Sequence, residues 1–288
     1  HKTKIKKIYI PSKVSKIGKF AFCKSLAKVE ISPNSNLQII EHNSFAYSKI
    51  KEICIPSKVT KISKKAFHNC RFLKKVEFLP NSNLQVIKEE AFSYTNIGEF
   101  HIPSNVSEIC EGAFKDCKNL MKIEIPTNSK LEIIEKYAFS GSKIKKLYLP
   151  MNLKELTENW CFETNNLIKI IISPLNNNFI LKNNKYLIGK NENNNEFDNL
   201  LFACRDIKKI SIPSNIKIIS PYAFYNCKDL IKVDISANSN LQLIKEYAFY
   251  STNVKKISIP SKVSKICDYA FQNCKNLKKI EIPTNSNL

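Results

Sequence analysis

Arginine is nearly absent: of 46 basic residues only Arg71 and Arg205 carry a guanidinium. Sequence-specific reading of DNA leans on that planar fork, so specific nucleic-acid recognition is not expected. Glycine is scarce as well, and its five copies form no phosphate-cradling loop. No apolar run approaches the roughly 20 residues of a membrane span. The opening "HKTKIKKIYIPS" has no hydrophobic segment followed by small residues, as a signal peptide would. The four histidines, His1, His42, His68 and His101, fall at four different phases of the chain's pattern, so no pair is set to share a metal or activate a nucleophile. These absences argue against an enzyme and against any cofactor or metal.

Lysine is what the chain has in excess. The formal charge of +21 suits a polyanionic partner such as an acidic polysaccharide. Lysine, asparagine, isoleucine, tyrosine and phenylalanine are together the residues of A/T-rich codons, so genomic composition is an equal reading of the same excess. With 43% hydrophobic residues, the 288-residue chain has enough apolar material for a continuous core.

That material is periodic. The pattern apolar-x-x-apolar-x-apolar occurs twelve times, from Ile5/Ile8/Ile10 and Leu26/Val29/Ile31 to Val254/Ile257/Ile259 and Leu277/Ile280/Ile282. Its last two apolar positions alternate with polar ones, the period of a half-buried strand. A proline usually follows within two residues and ends the strand, because it has no N–H to give the ladder. Two more apolar positions come next (Val14 and Ile17 in the first copy), then an Ala-Phe pair such as Ala21-Phe22. Phenylalanines 22, 45, 67, 92, 114, 139, 162, 224, 249 and 271 mark these turns. Their steps alternate because a short loop ("IPSKV") alternates with one two residues longer ("LPNSNL"). A unit of about 23 residues cannot bury its own apolar side and must stack on its neighbours.

The expected fold is therefore an α/β repeat solenoid over 1–288. Its twelve strands should form one parallel sheet, with the Ala-Phe segments as short helical turns opposite. Residues 174–206 break the pattern. There "FIL", "YLI" and "LLF", separated by asparagine-rich turns, read as hairpin strands of a surface insertion or a ligand-contacting protrusion.

The stretch "IPSNVSEICEGAFKDCKNLMKIEIP" (102–126) carries strand, proline, V-x-x-I-x-x-x-A-F-x-x-C-x-x-L and the next strand in order. In this the chain resembles the BspA-like leucine-rich repeats of bacterial and protist surface proteins. The resemblance implies a right-handed solenoid with the sheet on its concave side. It also implies a non-catalytic adhesion module of a cell-surface or secreted protein, with a protein or anionic glycan on a host or neighbouring cell as partner. An intracellular interaction scaffold is the competing reading. The chain starts and stops inside units and is expected to be part of a longer array, with no membrane insertion in this segment.

The repeat also judges the cysteines. Three residues after the phenylalanine stand Cys70, Cys117, Cys227 and Cys274, but also Ser48, Thr95, Ser142, Asn165 and Thr252. The column asks for a small hydrogen-bonding side chain, and zinc would not accept that mixture. Cys110 and Cys267 share a column with Gly18, Ser63, Thr157 and Ser220, again small residues. Free and mostly buried thiols are expected.

The candidate binding residues lie on the strand face. One outward column is lysine in ten of twelve units: Lys7, Lys28, Lys75, Lys122, Lys146, Lys169, Lys209, Lys232, Lys256 and Lys279, with Glu52 and Glu99 the exceptions. The next outward column holds Glu30, Glu77, Glu124, Asp234 and Glu281. Beside them runs an edge column with no acid: Lys6, Lys51, Lys74, Lys145, Lys208, Lys255 and Lys278. Tyr9, His101 and Tyr148 are candidate anchors. A basic field is expected along the edge where the strands begin, either as a solvated surface that serves solubility or as a binding edge for an anionic ligand.

Overall fold

The structure is a computed structural model describing residues 5–24, 26–190 and 195–288; His1 and residues 191–194 of the insertion lie outside the described residues. The chain divides into two compact units, residues 1–164 with 173–176, and residues 165–172 with 177–288.

All twelve expected strands are present, each three or four residues long, from Lys7–Ile10 to Lys279–Glu281. They do not form one long ladder. In the first unit they pair in parallel two by two: Lys7–Ile10 with Lys28–Ile31, Glu52–Ile55 with Lys75–Phe78, and Glu99–His101 with Lys122–Glu124. In the second unit Lys209–Ile212 pairs with Lys232–Ile235, and Lys256–Ser258 with Lys279–Glu281. The ladder lapses wherever the longer loop intervenes, so each sheet pair coincides with the two-unit sequence repeat.

Continuity comes from a second ladder, unforeseen in the sequence, made of the second apolar position after each proline and the residue before it. In the first unit Lys16–Ile17, Ile39–Ile40, Lys61–Ile62, Val86–Ile87, Glu108–Ile109, Ile133–Ile134 and Glu155–Leu156 form one parallel sheet of seven strands. Each strand buries its second residue, as Ile40, Ile62, Ile87 and Ile109 show.

No helix occurs among the described residues, which corrects the expected helical turns. The cause lies in the backbone. A left-handed residue stands two before the buried phenylalanine (Asn43, Lys65, Glu90, Gly112) and another two after it (Tyr47, Asn69, Tyr94, Asp116). Left-handed residues four apart cannot sit in a right-handed helix. The phenylalanine N–H instead donates to the next coil: Phe45 to Ala66 O at 2.9 Å, Phe67 to Ala91 O at 2.8 Å and Phe92 to Ala113 O at 2.8 Å. The rings follow in a stack, Phe45, Phe67 and Phe92 having centroids 5.1 Å apart and all being fully buried. Removing a buried phenylalanine costs about 3–5 kcal/mol.

One coil is registered differently from its letters. Asn159 has positive φ and Trp160 N–H donates to Thr157 O, the bond that Ala138 makes to Glu135. Trp160 and Cys161 therefore take the Ala and Phe places and are buried, whereas Phe162 is only half-buried. The hydrogen-bonding column is filled there by Thr164, fully buried, and not by Asn165.

The insertion belongs to the core of the second unit. Phe179–Lys182 and Tyr186–Gly189 form an antiparallel hairpin, as expected. Lys185 N–H donates to Lys182 O, and Asn183 and Asn184 both have positive φ, which makes the connection a type I′ turn. Tyr186–Gly189 pairs with Asn199–Ala203, which in turn pairs in parallel with Ile218–Ile219. The hairpin thus opens the second unit's short-strand sheet and buries Tyr186, Ile188 and Leu200 in its core. Arg205 locks its end. The guanidinium lies 4.4 Å over the Phe202 ring, and Nη1 donates to Ala223 O at 3.1 Å.

Candidate functional site

The alternation of the strands decides which side chains face outward. In Lys7–Ile10, Lys7 and Tyr9 are exposed and Ile10 is buried. In Glu52–Ile55, Glu52 and Cys54 are exposed while Ile53 and Ile55 are buried.

Pairing neutralises much of the outward lysine column. Glu30 bridges Lys7 at 3.3 Å and Lys28 at 2.8 Å. Lys75 meets Glu77 at 2.6 Å, Lys122 meets both Glu99 and Glu124, and Lys232 meets Asp234 at 3.0 Å. Glu281 takes Lys256 and Lys279, both at 2.8 Å, and the hydrogen bond from Lys256 leads in holding its carboxyl down at about 2. Exposed pairs of this kind add little to stability because solvent screens them; their consequence is local charge cancellation. Lys146, Lys169 and Lys209 make no ion pair among the described residues.

The edge column behaves differently. Lys6, Lys51, Lys74, Lys145, Lys208, Lys255 and Lys278 are all exposed, and among the described residues none makes an ion pair. Within each unit the backbone aligns neighbouring members. The carbonyl of Lys51 accepts from Lys74 N–H at 2.8 Å, and that of Lys255 accepts from Lys278 N–H at 2.9 Å.

The first unit has a groove of about 1040 Å³ across coils three to six, lined by Cys54, Phe78, Gly98, His101, Pro103 and Met121, with Lys74, Lys75, Glu99 and Lys122 at its rim. It therefore gathers four of the expected site residues, Lys74, Lys75, His101 and Lys122. Lys6, Lys7, Tyr9, Lys28, Lys51, Lys145, Lys146 and Tyr148 lie elsewhere in the same unit, and Lys169, Lys208 and Lys209 belong to the other. Tyr9 is well exposed and Tyr148 half-buried. Cys54, Phe78 and Met121 had no place among the expected residues. The signal for the groove was the lapse of the edge column, where Gly98 and Met121 replace lysine on adjacent coils.

All ten cysteines are free, six of them buried, whereas Cys54 is exposed and departs from the expected burial. The thiols of the hydrogen-bonding column do what their serine and threonine equivalents suggested. Cys70 donates to Phe45 O at 3.0 Å and meets Ser48 Oγ at 3.3 Å; Cys117 donates to Phe92 O at 3.1 Å and meets Thr95 Oγ1 at 3.2 Å. Burial pushes the Cys70 thiol up to about 12 and that of Cys117 to about 11. Cys110, in the other column, packs beside Glu108 and Glu135; burial foremost, then Glu108, raises its thiol to about 12. Thiols this reluctant to ionise are poor nucleophiles.

No helix among the described residues is long and apolar enough to cross a membrane. In sequence the family described as "BspA type Leucine rich repeat region" matches residues 1–121, 85–186 and 195–288, with six copies. No curated protein matches the chain. Among solved structures the chain is similar to the pneumococcal vaccine antigen PcpA, with 22% identity, a TM-score of 0.77, and 97% of this chain and 72% of that one covered. It is also similar to a leucine-rich cell surface protein from Faecalibacterium prausnitzii, with 22% identity, a TM-score of 0.60, and coverage of 96% and 87%. A leucine-rich repeat protein from Bacteroides ovatus matches at 24% identity and a TM-score of 0.61, covering 97% and 79%. At these identities the likeness is one of fold.

Proposed function

Since this chain belongs to the BspA-type leucine-rich-repeat family, we propose that it is a non-catalytic binding module of a cell-surface or secreted protein. It engages an acidic macromolecule, protein or anionic glycan, on a host or neighbouring cell. The observation that carries this reading is the contrast between two lysine columns. Acids in register neutralise much of the outward column, while the edge lysines are exposed and make no ion pair among the described residues, and one of them, Lys74, lines a groove with apolar walls at Phe78 and Met121. Stacked lysines without counter-ions repel one another within a Debye length of about 8 Å, and an acidic ligand relieves that repulsion. The groove supplies shape and apolar contact; the edge supplies long-range attraction. The surface location rests on the family and on the fold shared with a protein described as a cell surface protein.

The test is retention on sulfated-polysaccharide and acidic-protein matrices, with and without Lys51→Gln, Lys74→Gln and Lys145→Gln. Retention is expected to fall steeply with salt and to be lost in the triple variant, whereas Lys7→Gln with Lys28→Gln changes it less, because Glu30 already offsets one of those two charges. Salt-insensitive retention, or equal losses from both sets, would overturn the role of the edge.

A further inference from the structure

The repeat serves as its own control, since any position can be compared with its equivalents in eleven other coils. By that comparison one strand departs twice. Glu99 stands in the outward column that is lysine in ten of twelve units, and two residues on His101 stands where other coils carry tyrosine, cysteine, serine, isoleucine or an acid. Both departures project from the same strand, Glu99–His101, onto the same face. The neighbouring strand places Lys122 in register with Glu99 and Glu124 in register with His101. The result is a square of two carboxylates, an imidazole and an ammonium on a sheet.

The geometry points to a transition-metal site: we propose that Glu99, His101 and Glu124 bind one divalent cation of the zinc class at the rim of the groove. A carboxylate oxygen from each glutamate and a ring nitrogen of His101 all lie within 4.8 Å of one another. His101 Nε2 is 3.4 Å from Glu99 Oε1 and closer still to Glu124 Oε2. Small side-chain rotations bring three such atoms to the roughly 2.0–2.2 Å bonds that zinc takes from histidine and carboxylate. A cation already sits on these carboxylates: the Lys122 ammonium, 2.6 Å from Glu99 Oε1 and in close contact with Glu124 Oε1. A divalent ion carries twice that charge and takes a coordinate bond from an unprotonated ring nitrogen in addition to those from the two carboxylates. Binding releases Lys122 toward solvent. The imidazole selects zinc, nickel or copper over calcium and magnesium, which prefer oxygen. Three protein ligands leave coordination positions open toward the groove, where an acidic group of a bound macromolecule completes the shell.

Zinc titration by calorimetry at pH 7.5 tests the site in the whole chain. The wild type should bind zinc in the micromolar range. His101→Ala should lose one zinc equivalent, or weaken it about tenfold or more, the scale set by outer-sphere substitutions alone. Lys122→Met should tighten that equivalent by removing the resident cation, and Cys54→Ser should leave it intact. The three substituted residues are exposed, so circular dichroism of the variants should match the wild type. Zinc binding that is absent, equal in His101→Ala, unchanged or weakened in Lys122→Met, or no tighter than calcium binding would overturn the assignment.

Discussion

Cys117 offers a quantitative test of why thiols occupy this solenoid. Its side chain is fully buried, donating to Phe92 O at 3.1 Å and lying 3.2 Å from Thr95 Oγ1. Two substitutions separate its volume from its hydrogen bond. Cys117→Ser keeps the donor and loses some bulk, and the same column already holds Ser48, Thr95, Ser142, Thr164 and Thr252 in other coils. Its cost is set by the apolar contact of one sulfur, about 1 kcal/mol. Cys117→Val keeps the bulk and removes the donor. It leaves the Phe92 carbonyl and Thr95 hydroxyl short of a partner in a dry interior, where an unsatisfied polar group costs about 1–3 kcal/mol. Because the threonine hydroxyl can turn to a nearby carbonyl, as Thr164 does to Cys161 O at 2.7 Å, the expected value is about 2 kcal/mol.

Urea unfolding followed by tryptophan emission reads this directly, since Trp160 is the only tryptophan and belongs to the same unit as Cys117. With a slope of about 2 kcal/mol/M, the valine variant should unfold about 1 M earlier than wild type and the serine variant about half that. The order is the decisive result. If Cys117→Val is as stable as Cys117→Ser, the column selects for size, and the hydrogen-bonding account of these cysteines is wrong.

Two further outcomes follow from buried groups. A Cβ on Gly189 would stand 2.5 Å from Leu201 Cδ1 and 3.1 Å from its Cγ, so Gly189→Ala pushes that half-buried side chain off its rotamer and should destabilise the second unit by about 1 kcal/mol; adding Leu201→Ala should remove that steric share, and a Gly189→Ala just as destabilising in the Leu201→Ala background would refute the close approach. Alkaline pH tests the thiols: folding raises Cys70 and Cys117 from the usual 9.0 to about 12 and about 11, so native thiols keep their protons while unfolded ones lose theirs. Their contribution is complete below pH 9.0 and is lost as pH rises from there to about 11–12. Between pH 9 and 10 these two thiols should cost about 2 kcal/mol, and Cys70→Ser with Cys117→Ser should flatten that slope. An unchanged slope would place the titration elsewhere.

The twelve strands were legible in the sequence because each alternates buried and exposed residues and most end near a proline, a signal carried by side-chain type. The turns were not, because their defining feature is left-handed backbone at Lys65, Glu90, Tyr94 and Tyr247, residues that do not advertise it. Had glycine stood there, as it does at Gly112 and Gly141, the helical reading would have failed in the sequence itself. The second ladder escaped for another reason: strands of two residues are too short to show a period, and their partners lie a whole coil away. Cys161 misled by chemistry. It fills the place of a phenylalanine, while the adjacent Phe162 supplies the expected letter at the wrong register. The groove was hidden because it arises where lysine is missing, at Gly98 and Met121.

The columns also bear on what the charge excess means. A compositional drift toward lysine places it wherever lysine is tolerated and is indifferent to what stands beside it. The two columns here are not indifferent. Acids recur in register with the outward lysines, so that Glu30, Glu77, Glu124, Asp234 and Glu281 each meet at least one of them, whereas among the described residues no acid meets the edge column. Edge and face lysines are all exposed and only a residue apart, so solubility alone gives no reason to neutralise one and spare the other. A ligand that approaches along the edge does. The same logic applies at Glu99, where lysine gives way to a carboxylate beside His101 on the coils that also open the groove. The charge is therefore best measured column by column: exchanging edge lysines for glutamine should change binding far more than the identical exchange one residue away.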